Sequence, residues 1–164
     1  MPKLIDVNSP NILHFAPEEY LDLVFQQGDG VDHRTTTDIA LNGVSCLSNI
    51  NALPFEDDSF DSIVCIHVLE HIKDDMRAMR ELQRVLKKDG TALICIPETD
   101  QDKTVEFGFE DPKKSHHWRD YGRDVKDRLT SSGFQVTTVT PKTLGANSYR
   151  YGLSESERFH LCVK

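Results

Sequence analysis

Residues 49–71 read Asn-Ile-Asn-Ala-Leu-Pro-Phe-Glu-Asp-Asp-Ser-Phe-Asp-Ser-Ile-Val-Cys-Ile-His-Val-Leu-Glu-His. A short acidic loop from Glu56 to Ser59 leads through Phe60-Asp61 into an apolar run, Ile63 to Ile66. The run reads as a buried strand. It ends in His67, Glu70 and His71, where a helix begins. In open α/β sheets ligands sit beyond the carboxyl ends of the strands. Three ionisable side chains are therefore expected near a ligand site.

Outward from this stretch, strand and helix patterns alternate. The first strand is expected over residues 11–16. A helix follows from Pro17, which suits a first helical turn, to about Gln27, burying Tyr20, Leu21, Leu23 and Val24. Gly28-Asp29-Gly30 breaks it. Strands two, three and four are expected over 31–40, 43–50 and 62–67. Met76, Met79, Leu82, Val85 and Leu86 recur at helical spacing, so a helix is expected over 73–88, closed by Asp89-Gly90. Strand five spans 91–96 and stops at Pro97. Residues 98–115 are polar and contain Pro112, which reads as a long loop. A helix over 121–132 and strands over 134–140 and 157–163 complete the chain. Such alternation implies a mainly parallel sheet with helices on both faces. The last two strands lack a helical connection and are expected as an antiparallel pair at the sheet edge.

The chain has 164 residues and is expected to form one domain over 1–164. Its 38% apolar and 28% charged residues suit a soluble globular protein. The formal charge of −8 argues against a nucleic-acid backbone as main partner. No apolar run approaches the ~20 residues that span a bilayer, and the N-terminus has no signal-peptide core. Cys46, Cys65, Cys95 and Cys162 are dispersed in apolar or strand-like contexts. Reduced thiols in a cytoplasmic protein are expected, with no disulfide frame and no zinc site.

Several pieces recur in order: Leu53-Pro54-Phe55, Asp58-Ser59-Phe60-Asp61, His67-Val68-Leu69-Glu70-His71, Glu81-Leu82, and Val85-Leu86-Lys87-Lys88-Asp89-Gly90. Together they resemble the class I S-adenosylmethionine-dependent methyltransferases, type 11-like, most strongly over residues 42–97. The resemblance implies an α/β Rossmann-like methyltransferase fold, a mainly parallel sheet with an antiparallel edge strand and helices on both faces. It also implies S-adenosylmethionine as cofactor.

Class I enzymes usually place a Gly-x-Gly-x-Gly turn after strand one. Here Ala16, Glu18 and Tyr20 take the glycine positions, and His14 replaces the usual acidic residue. His14-Phe15-Ala16-Pro17-Glu18 resembles a recurring variant of this loop in a subgroup associated with glycan-modifying enzymes. The alternative is a lost cofactor site, since side chains narrow the space. The resemblance places the cofactor against His14, Phe15, Ala16, Pro17, Asp38, Asn49, Ile50 and His67. An acidic residue after strand two accepts bonds from both ribose hydroxyls, and Asp38 is favoured over Asp32 by its spacing. Asn49 can accept from the adenine amino group.

His67-Val68-Leu69-Glu70-His71 also matches an H-x-x-E-H zinc protease pattern. That chemistry needs both imidazoles on one helical face. A strand-to-helix junction would separate them, and the sequence offers no compelling third ligand, so no metal is expected. Ser115-His116-His117-Trp118-Arg119-Asp120-Tyr121-Gly122-Arg123-Asp124 resembles a subgroup His-x-Arg-x-Tyr-Gly stretch, and its histidines and arginine are expected to receive a substrate proton or hold an acidic group. Its other reading is a loop capped onto the last helix by Trp118 and Tyr121. The expected catalytic residues are His67 and His117.

Two functions remain open at this point. One is methyl transfer to a small-molecule or glycan-like acceptor. The other is a methyltransferase-like domain that binds a ligand or partner without catalysis. Only about ten residues precede strand one, so the cofactor site is expected to be open or completed by another subunit of a homo-oligomer.

Overall fold

The computed structural model describes residues 9–18, 21, 25, 33–40, 43–143, 154 and 157–164. Parallel strands β1 (Ile12–Phe15), β2 (Arg34–Asp38), β3 (Cys46–Leu47), β4 (Phe60–Ile66) and β5 (Leu86–Cys95) build most of a sheet. A second sheet is the antiparallel pair β6 (Val105–Asp111) and β7 (His117–Asp120). Strands β8 (Gln135–Val139) and β9 (Phe159–Val163) complete the main sheet, whose order is β3-β2-β1-β4-β5-β9-β8. Strand β9 runs antiparallel to both its neighbours, so the antiparallel pair lies at the sheet edge. The order reverses between β1 and β4, and a ligand crevice belongs at that switch point.

Alternation along the strands feeds two cores. Leu13, Phe15, Ile63, Cys65, Ala92 and Ile94 face one side, while Ile12, Val64, Ile66, Leu93 and Cys95 face the other. Burial on both faces explains why residues 63–66 are continuously apolar. The first side is covered by α1 (Asp75–Val85) through Ala78, Met79, Leu82 and Val85, and by α2 (Val125–Ser131) through Val125 and Leu129. The second side is covered at Phe25 and Leu21, both at helical positions. Pro17 and Glu18, at the start of that expected helix, are not helical, and its remaining residues lie outside the described ones, as do Val31 and Asp32. Cys65, Cys95 and Cys162 are buried free thiols, and Cys46 is half-buried and free.

Asp74 caps α1 by accepting the Arg77 N–H (3.0 Å). The helix ends at Val85, three residues earlier than the periodicity predicts. The acidic loop ends it: Asp58 N–H donates to the Arg84 carbonyl (3.1 Å) and Ser59 N–H to that of Val85 (2.9 Å). Leu86 then pairs with Phe60 as the first residue of β5. Gly90 is required inside β5, where the register against β4 shifts between Leu86 and Thr91. A Cβ there would stand 2.9 Å from the Lys87 carbonyl oxygen and 3.0 Å from that of Asp61.

The family-like motif pieces serve this junction. Glu81 accepts the Leu53 N–H through Oε2 (2.8 Å) and holds Arg84 Nε through Oε1 (2.9 Å). Arg84 donates to the carbonyls of Leu53 (3.1 Å) and Phe55 (2.8 Å). Asp61 holds Lys87 (2.9 Å) and both nitrogens of Asn11 (3.1 Å each).

The long loop expected over 98–115 is corrected to part of a hairpin, β6–β7. Strand β6 carries mostly exposed residues, including Val105 and Phe109, and β7 half-buried ones around buried Arg119, so no apolar alternation betrays them. Polar bonds hold them instead. Arg119, 3% exposed, donates to the carbonyls of Ile72 (2.6 Å) and Lys73 (2.7 Å) and to Glu106 (2.9 Å). Asp75 beneath it binds Arg128 (2.8 Å) and the Tyr121 hydroxyl (2.7 Å). The hairpin is thus bolted onto the junction between β4 and α1. No helix among the described residues is long and apolar enough to cross a membrane.

Candidate active site

A cavity of ≈ 170 Å³ opens beyond the carboxyl ends of β1, β2 and β4. Phe15 and Ala16 form the β1 side, Asp38 and Ile39 the β2 side, and Asn49 and Ile50 the β3 side. His67, Val68, His71 and Ile72 form the wall that follows β4. Strand pairing brings these together. Phe15 pairs with Thr37 and with Cys65, and Ala16 N–H donates to the Thr37 carbonyl (2.9 Å). Asp38 therefore stands beside the end of β1.

Ala16 adopts φ 44° and His67 φ 52°, both left-handed. Non-glycine residues rarely do so, and such strain clusters at functional sites. Ala16 holds the conformation that the usual first glycine serves, at the cost of a methyl group facing the crevice.

Of the residues expected around the cofactor, Phe15, Ala16, Asp38, Asn49, Ile50 and His67 line the cavity. His14 and Pro17 are not among its lining residues. Strand alternation turns His14 to the opposite core face, against Phe25, fully buried. There Arg34 lies 3.4 Å from its Nδ1 and Glu18 3.1 Å from its Nε2. Asn49 Oδ1 accepts the Asn51 N–H (2.9 Å), and Asp38 Oδ1 accepts that of Ala40 (2.8 Å). Ile39 lines the cavity beside Asp38. An apolar residue exposed right after the strand-end acid was the signal for it.

His67 also lines a second cavity of ≈ 320 Å³ with Cys95, Ile96, Pro97, Glu98, Ser154, Glu157 and Arg158. Glu98 and Arg158 escaped sequence reasoning, because β9 meets β5 only in the fold. Glu98 is buried and binds His160 Nε2 (2.8 Å) and Arg158 (3.6 Å). Burial pushes the Cys95 thiol up to about 12, so it stays protonated. His67 Nδ1 faces Glu70 Oε1 at 3.5 Å. That hydrogen bond raises the His67 pKa, with partial burial opposing it.

His117 does not line either cavity. Its ring meets that of His71 edge-on, with centroids 4.9 Å apart. Burial lowers its pKa, which favours the neutral imidazole. Arg119, expected with the histidines to serve a substrate, is instead buried in carbonyl bonds. Trp118 lies under the Lys73 ammonium (5.3 Å to the ring centroid).

Comparison with known proteins gives three kinds of likeness. A family model described as methyltransferase domain matches residues 21–94. The ubiquinone/menaquinone biosynthesis C-methyltransferase UbiE of Shewanella frigidimarina is 32% identical over 121 residues, covering 73% of this chain and 41% of that protein. The chain spans less than half the length of the curated relatives it matches. Among solved structures, the S-adenosylmethionine-dependent methyltransferase from Mesorhizobium loti superposes with a TM-score of 0.65 at 12% identity, covering 97% of this chain and 92% of that one. The 1,6-didemethyltoxoflavin-N1-methyltransferase of Burkholderia thailandensis, with S-adenosylhomocysteine and 1,6-didemethyltoxoflavin bound, gives 0.63 at 15% identity, over 94% and 70% of the two chains. Residues 21–94 therefore match a methyltransferase domain, and the chain shares its fold with S-adenosylmethionine-dependent methyltransferases of known structure.

Proposed function

We propose that this chain transfers a methyl group from S-adenosylmethionine to a nucleophile on a small-molecule or glycan-like acceptor. The observation that carries this reading is the cavity at the switch point, with one carboxylate, Asp38, set among apolar walls. The residues present fit the cofactor. Ile39 and Ile50 offer apolar surface for a purine, Asn49 an amide beside it, and Asp38 an acceptor for ribose hydroxyls. At ≈ 170 Å³ the cavity is smaller than a typical ligand pocket of roughly 300 Å³ or more. Part of the cofactor would therefore extend past its open mouth.

When bound, the cofactor supplies an electrophilic methyl group on a sulfonium. The protein's work is alignment and exclusion of water. Phe15 and Ala16 close one side, and Val68 and Ile72 the other. His67 lies between the two cavities, with Nδ1 directed to Glu70 and Nε2 left as the other proton site. It is suited to take the proton from an acceptor hydroxyl or amine held in the second cavity. Glu98, Glu157 and Arg158 make that cavity polar, which favours an acceptor rich in hydroxyl or amino groups.

Calorimetric titration with S-adenosylmethionine and with its demethylated product tests the reading. Both should bind at one site. If neither binds at high concentration, methyl transfer fails as the function, and a methyltransferase-like domain without catalysis replaces it.

A further inference from the structure

Glu70, 1% exposed, carries an orphan. Its Oε2 is buried and accepts no hydrogen bond, while Oε1 faces His67. A buried carboxylate oxygen without a partner costs several kcal/mol unless something compensates it. Beside it stand His71 and His117. One carboxylate oxygen of Glu70 and one ring nitrogen of each histidine all lie within 4.8 Å of one another. Both histidines are reachable from outside, since His71 is exposed and His117 half-buried.

We propose that Glu70, His71 and His117 form a binding site for a first-row divalent cation, with zinc the best match to the donors. Two imidazoles and one carboxylate are a zinc donor set that leaves a fourth position open. Donors of a tetrahedral zinc site lie roughly 3.3 Å apart, from bond lengths near 2.0–2.1 Å. Binding would draw the donors together from their present separations of up to 4.8 Å. The hairpin supplies rigidity. Arg119, two residues from His117, is clamped to the carbonyls of Ile72 and Lys73, so β7 cannot drift from the junction.

The expectation of no metal rested on His67 and His71 being split by the strand end, and on the lack of a third ligand. His67 falls with Cys95 and Glu157, in a different group of candidate ligands from His71. The third ligand is His117, which comes from the hairpin. A second cluster, His67, Cys95 and Glu157, has similar spacing. There the Cys95 thiol already lies against Glu157 (3.9 Å), and no atom of the three is an orphan. His71 also lines the cofactor cavity, so the open position would sit at its rim. An oxygen donor of the acceptor would complete the coordination. This role rests on the methyl-transfer reading, but cation binding does not.

The test uses chelator-stripped protein titrated with zinc sulfate in competition with a chelating dye, without cofactor. Cobalt(II) serves as the spectroscopic reporter of coordination. One equivalent should bind. His71→Ala and His117→Ala should each weaken binding about tenfold or more, and both remove side chains outside the core. Cys95→Ala should leave binding unchanged. No stoichiometric binding to the wild type overturns the proposal, as does binding that survives both histidine variants. Loss of binding in Cys95→Ala alone assigns the cation to the other cluster and also overturns it. Failure here with intact S-adenosylmethionine binding leaves the methyl-transfer reading standing.

Discussion

Replacing Asp38 by alanine tests the cofactor site most directly. Asp38 ends β2, beside Ala16 at the end of β1. Its Oδ1 accepts the Ala40 N–H at 2.8 Å, and its own carbonyl accepts the Ser48 N–H at 2.9 Å. A diol meeting this carboxylate would share Oδ1 with the Ala40 N–H. Charge-assisted bonds from the two hydroxyls to this carboxylate are together worth about 2–3 kcal/mol. That corresponds to a loss of roughly 30- to 150-fold in affinity for S-adenosylmethionine. The lost Ala40 bond should lower stability by only about 1 kcal/mol, because its donor is exposed to water. Asp38→Asn keeps one oxygen acceptor and should fall between wild type and alanine. Calorimetric titration of the three proteins measures the affinities, and thermal melts measure the fold. Equal affinity in wild type and Asp38→Ala would refute the argument. The acidic role would then pass to Asp32.

Three further outcomes follow from the packing. Gly122→Ala should destabilise by about 2–3 kcal/mol, because the added Cβ would stand 2.5 Å from the Lys103 carbonyl carbon, which is backbone; an unchanged denaturant midpoint would contradict it. Glu81→Gln should cost about 1–2 kcal/mol at pH 7 by weakening the brace to Arg84 and Leu53. The Arg84 bond lowers the folded-state pKa of Glu81 below its ordinary 4.5. Its contribution is therefore full above that value and disappears as pH falls through the folded pKa. Urea melts should show the gap between wild type and variant closing at acidic pH, and a gap that widened would reverse the sign. Ala16→Gly should stabilise by up to about 1 kcal/mol, since φ is 44°; a lower melting temperature would show that the alanine methyl contributes packing.

Much of the fold was legible because buried parallel strands and an amphipathic helix write themselves into local composition. Residues 63–66 are apolar throughout because β4 is covered on both faces, and Met79, Leu82 and Val85 repeat because one stripe of α1 meets the sheet. Strand ends are legible for the same reason, and the family resemblance pointed to Asp38, Asn49 and His67 among the residues there. The direction of a side chain at a strand end is also set by alternation, so with Leu13 and Phe15 in one core His14 faces the other, against Phe25.

Other features exist only in three dimensions. The helix over α1 stops at Val85 because Asp58 and Ser59 supply its last carbonyls with donors from 26 or more residues upstream. Hairpin β6–β7 has no apolar rhythm, because Arg119, Glu106, Asp75 and Arg128 hold it by charge and hydrogen bonds between distant segments. Such bonds leave no periodic trace. Local patterning by itself determined the alternating elements and the strand that ends in His67. Only the tertiary structure decided that His117 meets His71 beside the orphan oxygen of Glu70. That meeting depends on a hairpin folding back across 46 residues, and sequence spacing carries no information about which distant loop closes onto which junction.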